Sequence, residues 1–213
     1  TLGVANTTIL TVIVVGSFFH LASVIASGTA SDRVGGRPVY LGGGCLGLGR
    51  SYYQVKDQKN EETLKDYSNY ISALYAKSGQ RTKDLKGPKI VAFEKELAAN
   101  LKTVEQSRDA NGRYNPVAVA DLKKMVKNVD IAKYLSDVGF KADTVIVPEL
   151  KYYENLDKIF NPANLPVIKD ILTFHVLNTA ASYTTQELND LSFDFWGRKL
   201  KGQKEQRALD KRG

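Results

Sequence analysis

The chain has 213 residues, a formal net charge of +7, 43% hydrophobic residues and 25% charged residues, which is ordinary for a folded protein with a sizeable core. A single cysteine, Cys45, excludes an internal disulfide. The positive excess gathers at the end, at Arg198, Lys199, Lys201, Lys204, Arg207, Lys211 and Arg212, but no aromatic residue follows Trp196, so the base-stacking platforms of a nucleic-acid partner are missing and a solvated face is expected.

The first 31 residues carry no formal charge, and residues 9–26, ILTVIVVGSFFHLASVIA, are apolar apart from Thr11, Ser17, His20 and Ser23. A bilayer is crossed by about 20 such residues. The pattern therefore predicts one membrane span over residues 9–30, with His20 neutral and bonded to a neighbouring helix. A secretory signal is the rival reading, with Ala26-Ser27-Gly28 as its cleavage site, but it lacks a basic leader and its apolar core is too long.

The stretch from Gly28 to Arg37, GTASDRVGGR, follows. It resembles the G-x-x-x-D-R-x-G-R-R loop of major facilitator transporters, with Gly28, Asp32, Arg33, Gly35 and Arg37 on the motif and Gly36 departing from it. The resemblance implies a cytoplasmic loop after a second membrane helix. Gly28 would permit close helix approach, Asp32 and Arg33 would pair, and Arg37 agrees with positive-inside topology. Gly42-Gly43-Gly44 then reads as a flexible linker, since no phosphate-loop or dinucleotide pattern is present.

From Tyr52 onward the hydrophobic spacing is helical. Asn60 is expected to cap a helix whose buried face is Leu64, Tyr67, Ile71, Leu74 and Tyr75, with Gly79 as its stop. Ile90, Phe93, Leu97, Leu101 and Val104 mark a second helix, and Leu122 to Val126 and Ile131 to Leu135 mark two shorter ones. Thr144-Val145-Ile146-Val147 before Pro148 predicts a short extended run. A helix over 149–160, a long one over 166–183 and a last one opened by a Thr184/Glu187 capping box complete the reading. The expected class is mainly α: a helical lobe preceded by one transmembrane helix and a Gly-rich linker, divided as residues 1–44 and 45–213.

Leu46-Gly47-Leu48-Gly49-Arg50-Ser51-Tyr52-Tyr53, Glu94 to Ala98, Ser107-Arg108-Asp109 through Tyr114-Asn115-Pro116, Tyr152-Tyr153, the 165–177 helix, and Phe193-Asp194-Phe195 through Leu200-Lys201-Gly202 occur in that order. Together they resemble the N-terminal helical domain of neprilysin-like zinc endopeptidases of the oligopeptidase O type. The resemblance implies a non-catalytic lobe that helps enclose oligopeptide substrates, with zinc held by a separate C-terminal catalytic domain. There an H-E-x-x-H helix places two histidines one turn apart and a glutamate as base for zinc-bound water. It also implies a periplasmic or extracellular location, at odds with the cytoplasmic loop at 28–37.

This chain has no such helix. Its two histidines, His20 and His175, have no partner four residues away, so no catalytic and no metal-binding residue is expected here and no cofactor in this chain. His175 sits among Ile171, Leu172, Phe174, Val176 and Leu177 and reads as a packed residue. Glu94 and Glu96 are two apart and cannot share a helix face. Arg108-Asp109 reads as a helix end, and Phe193, Phe195 and Trp196 as core. The sequence is expected to be a fragment at both ends. Its alternatives are a transporter fragment, or a chimeric reading frame joined near 42–45.

Overall fold

The computed structural model describes residues 46–79, 85–137 and 143–206. The predicted span at 9–30, the loop residues Gly28, Asp32, Arg33, Gly35 and Arg37, and the linker glycines all lie outside the described residues. Among the described residues no helix is long and apolar enough to cross a membrane.

The helices are α1 (Arg50–Gln54), α2 (Gln58–Lys77), α3 (Lys86–Ala99), α4 (Ala110–Arg113), α5 (Val119–Met125), α6 (Ile131–Asp137), α7 (Leu150–Glu154), α8 (Leu156–Ile159), α9 (Leu165–Ala181) and α10 (Gln186–Phe193). Strands β1 (Pro116–Ala118) and β2 (Thr144–Ile146) form an antiparallel pair, with Val117 opposite Val145. The class is mainly α, as the spacing predicts. The expected buried face of α2 is present, and Tyr70 joins it.

Boundaries differ from expectation where a nearby side chain competes for the cap. Asp57, not Asn60, caps α2, because its carboxylate accepts the Asn60 amide at 2.7 Å. Thr185, not Thr184, caps α10, its hydroxyl accepting from the Leu188 amide at 3.3 Å. The helix expected over 149–160 breaks at Asn155 into α7 and α8. The second predicted helix starts earlier and ends at Ala99, leaving Val104 37% exposed beyond its end.

The chain divides into two compact units. The first holds residues 46–54 and 96–165. Its helices are short, so many backbone carbonyls have no intrahelical partner. Side chains supply donors: Gln54 Nε2 donates to the Ala98 carbonyl at 2.8 Å and the Leu101 carbonyl at 3.0 Å, where α3 ends. Asn115 Nδ2 donates to the Val147 carbonyl at 3.0 Å, beside the strand pair. Asn128 Nδ2 reaches the Phe160 carbonyl at 2.8 Å, while the Asp157 carboxylate accepts from the Lys127 and Asn128 amides.

The second unit holds residues 55–95 and 166–206. Its long helices satisfy most of their own backbone, so side-chain packing dominates. Tyr67, Ile71, Leu74, Ile90, Ile171 and Phe174 are fully buried. Tyr67 meets Phe174 edge-on with ring centroids 5.8 Å apart, and Tyr70 stacks on Phe195 at 5.0 Å. Gly87 lets α3 approach α2 closely: a Cβ at that position would lie 1.8 Å from the Ser68 carbonyl oxygen.

Candidate functional site

In the first unit the densest polar cluster centres on Glu149, which is 7% exposed. Its carboxylate accepts from Arg50 Nη1 at 2.9 Å and from the Lys102 amide at 2.8 Å. Arg50 Nη1 also donates to the Lys102 carbonyl at 2.8 Å. The Lys102 ammonium donates to the carbonyls of Gly112 and Pro148. Arg50 Nη1 and the Lys102 amide and ammonium are therefore each aimed at an acceptor of the fold itself. Burial pushes the Tyr153 phenol up, and the Glu149 charge adds to it, so Tyr153 keeps its proton. The cluster clamps α1, the end of α3 and the turn before α7, and it offers no free base or nucleophile for chemistry.

In the second unit a shallow groove of about 180 Å³ is lined by Asp66, Asn69, Tyr70, Leu191, Asp194 and Lys199, among others. Lys199 bonds Asp66 at 2.6 Å, and Arg198 pairs with Asp194, so both carboxylates face cations. The Tyr70 hydroxyl donates to Asn178 Oδ1 at 2.6 Å, and the Trp196 indole N–H donates to the same oxygen at 2.9 Å. Burial raises the Tyr70 pKa, so this hydroxyl stays a donor. With both carboxylates held in ion pairs and the phenol protonated, these residues form no acid–base pair poised for hydrolysis.

The remaining residues singled out in the sequence lie apart. Glu94 is fully buried and accepts from the Tyr67 hydroxyl at 3.3 Å, whereas Glu96 is exposed, as two positions on one helix require. Asp109 caps α4 through the Asn111 amide at 3.0 Å, and the neighbouring Arg108 is exposed. Phe195 is core, and Trp196 is half-buried against it. The His175 ring lies 5.5 Å from that of Phe174. Arg50, Lys102, Glu149 and Asn178 were not singled out for any role by the sequence. Arg50 and Glu149 stand 99 positions apart, and no local pattern links them.

Zinc needs three or four converging nitrogen, sulfur or carboxylate donors. Among the described residues no group of three or more His, Cys, Asp or Glu is placed to hold a metal ion. The imidazole of His175 packs against a phenylalanine, and the carboxylates nearest the groove are engaged by Lys199 and Arg198. These donors do not fit zinc.

The ordered helices can be set beside known proteins. The N-terminal model of peptidase family M13 matches residues 15–213. The chain belongs to peptidase family M13. That match starts within the stretch that looked transporter-like, and the transporter alternative draws no support from these comparisons.

The M13 chain is 30% identical over 106 residues to a neutral endopeptidase of Lactobacillus helveticus, covering 49% of this chain and 16% of the relative. It is 24% identical over 173 residues to a neutral endopeptidase of Lactococcus lactis subsp. cremoris, covering 81% and 27%. In fold it is similar to the zinc metalloprotease Zmp1 of Mycobacterium tuberculosis in its open state, with a TM-score of 0.67, 23% identity, and coverage of 79% and 27%. PepO of Lactobacillus rhamnosis HN001 gives a TM-score of 0.67 at 21% identity, with coverage of 79% and 27%. The M13 chain thus spans roughly a quarter or less of the length of these relatives.

Proposed function

We propose that this chain is the non-catalytic N-terminal lobe of a zinc metalloendopeptidase, shaping a chamber for oligopeptides while a C-terminal catalytic domain of a family-length polypeptide cuts them. The M13 match over residues 15–213 carries the reading. The residue inventory supports it: two histidines 155 positions apart cannot supply an H-E-x-x-H helix, and the polar clusters of the lobe spend their donors on its own backbone. Zinc, when bound in the catalytic domain, would activate the attacking water. The residues here provide walls and rigidity. By the same reading the lobe works outside the cytoplasm, in the periplasm or beyond the cell.

The test replaces the matching 173-residue segment of the Lactococcus lactis neutral endopeptidase with this chain. The chimera is expected to cleave an oligopeptide and to lose that activity on zinc chelation, while the 213-residue chain alone does neither. Stoichiometric zinc binding with peptide cleavage by the isolated chain would overturn the proposal, and so would a folded chimera without activity.

A further inference from the structure

Asn111 is followed by Gly112, the only Asn-Gly pair in the chain. Such a pair carries its own chemistry: the glycine nitrogen can close a five-membered ring onto the carboxamide carbon, and no side chain obstructs its approach. Both residues sit in α4, a single turn of helix. First-turn N–H groups have no acceptor inside their own helix, so the ladder does not hold the Gly112 nitrogen. Asn111 is exposed. Asn115 and Asn128 spend their carboxamides on carbonyls of the fold, whereas that of Asn111 makes no hydrogen bond among the described residues. Turning the Asn111 backbone far enough for attack breaks one backbone bond, from the Tyr114 N–H to the Asn111 carbonyl at 3.1 Å. The Asp109 carboxylate lies over the pair. Its Oδ1 accepts from the Asn111 amide at 3.0 Å, and its Oδ2 is 2.7 Å from where a Gly112 Cβ would stand. It is a proton acceptor beside the nitrogen that must lose a proton.

We propose that Asn111 is a self-modification site whose isoaspartyl product loosens the clamp of the first unit. The Gly112 nitrogen loses its proton and bonds to Asn111 Cγ, the Cγ–Nδ2 bond breaks, and Nδ2 takes up a proton and leaves as ammonia. Water then opens the cyclic imide at either carbonyl. One opening gives aspartate. The other gives isoaspartate, in which the backbone runs through Cβ and gains one carbon. Water is the only co-reactant. The clamp is affected because the Gly112 carbonyl is a shared acceptor: the Lys102 ammonium donates to it, and so does Asn115 Nδ2 at 3.1 Å. Both donors are also fixed elsewhere, Lys102 to the Pro148 carbonyl and Asn115 to the Val147 carbonyl. A longer backbone between Asn111 and Gly112 moves the shared carbonyl off donors that cannot follow it.

The experiment holds the folded 213-residue chain in mildly alkaline buffer and then digests it with trypsin, which releases residues 109–113. Mass spectrometry follows loss of the amide, and an isoaspartyl methyltransferase labels the isomer. Because α4 is one exposed turn that opens locally, the rate should lie within roughly tenfold of that in a free peptide spanning residues 106–116. It should rise with pH, since the attacking nitrogen must be deprotonated. Asn111→Gln and Gly112→Ala, each with native circular dichroism, should lose most of the product. In the isoaspartyl chain, hydrogen exchange should quicken at the Val147 amide, which donates to the Asn115 carbonyl at 2.9 Å, while α2 stays protected. A rate below that range would overturn the site, as would equal product from Gly112→Ala. Isoaspartate accumulating with unchanged exchange at Val147 would overturn its link to the clamp.

Discussion

The two compact units solve one problem in opposite ways. The first, built from short helices and a two-stranded ladder, leaves many carbonyls unsatisfied and covers them with side-chain donors from Arg50, Gln54, Lys102, Asn115 and Asn128. The second, built from α2, most of α3 and α9, and α10, closes its backbone bonds within the helices and is held by Tyr67, Tyr70, Phe174 and Phe195 packed ring on ring. The lesson is that short elements need polar clamps, whereas long elements need shape. The first unit should therefore be sensitive to single donors and acceptors, the second to volume.

Volume loss in the second unit should have the largest effect. Phe174 is fully buried and touches the rings of Tyr67 and Tyr70, so Phe174→Ala should lower stability by about 3–5 kcal/mol. Urea unfolding followed by circular dichroism measures this, and a loss under 1 kcal/mol would show that packing does not hold this unit. Added volume is the converse test. Gly87→Ala forces a Cβ onto the Ser68 carbonyl, with little room to shift between backbones, and should cost about 3 kcal/mol.

The clamp of the first unit comes next. Glu149→Ala strips the partner from Arg50 Nη1 and from the Lys102 amide. The Arg50 side chain is 29% exposed, so water replaces part of what is lost, and a cost of about 1–3 kcal/mol is expected. Hydrogen exchange should quicken at Lys102 and around α7 while the amides of α2 stay protected. Equal loosening of α2 would erase the contrast between the units.

The smallest effect is a pH dependence. Tyr75 bonds the Asp170 carbonyl, and burial, with the Asp170 charge adding to it, pushes its pKa up to about 12 from an ordinary value near 10. Between these values the unfolded chain has released a proton that the folded chain still holds, so stability falls as pH rises from about 10 to about 12. Tyr75→Phe should flatten that decline in unfolding titrations at alkaline pH. An unchanged slope would remove Tyr75 from the account.

Much of the fold was legible because helix periodicity is local. Leu64, Tyr67, Ile71, Leu74 and Tyr75 share a face whatever surrounds them, and all are buried. Caps were legible only to within a few residues, since Asp57 and Asn60, or Thr184 and Thr185, compete over one turn and the winner depends on backbone angles. The Glu149 clamp was not legible at all. A carboxylate, a guanidinium and a lysine amide meet there from residues 50, 102 and 149, and nothing within a short window marks the meeting.

By itself the sequence determined a mainly helical lobe, the family's order of segments, and the lack of an H-E-x-x-H pair, since each depends on residue type and short spacing. Tertiary structure alone decided which polar groups clamp the short elements and which aromatic rings meet. Those outcomes depend on distances between residues far apart in the chain, which only the folded backbone sets.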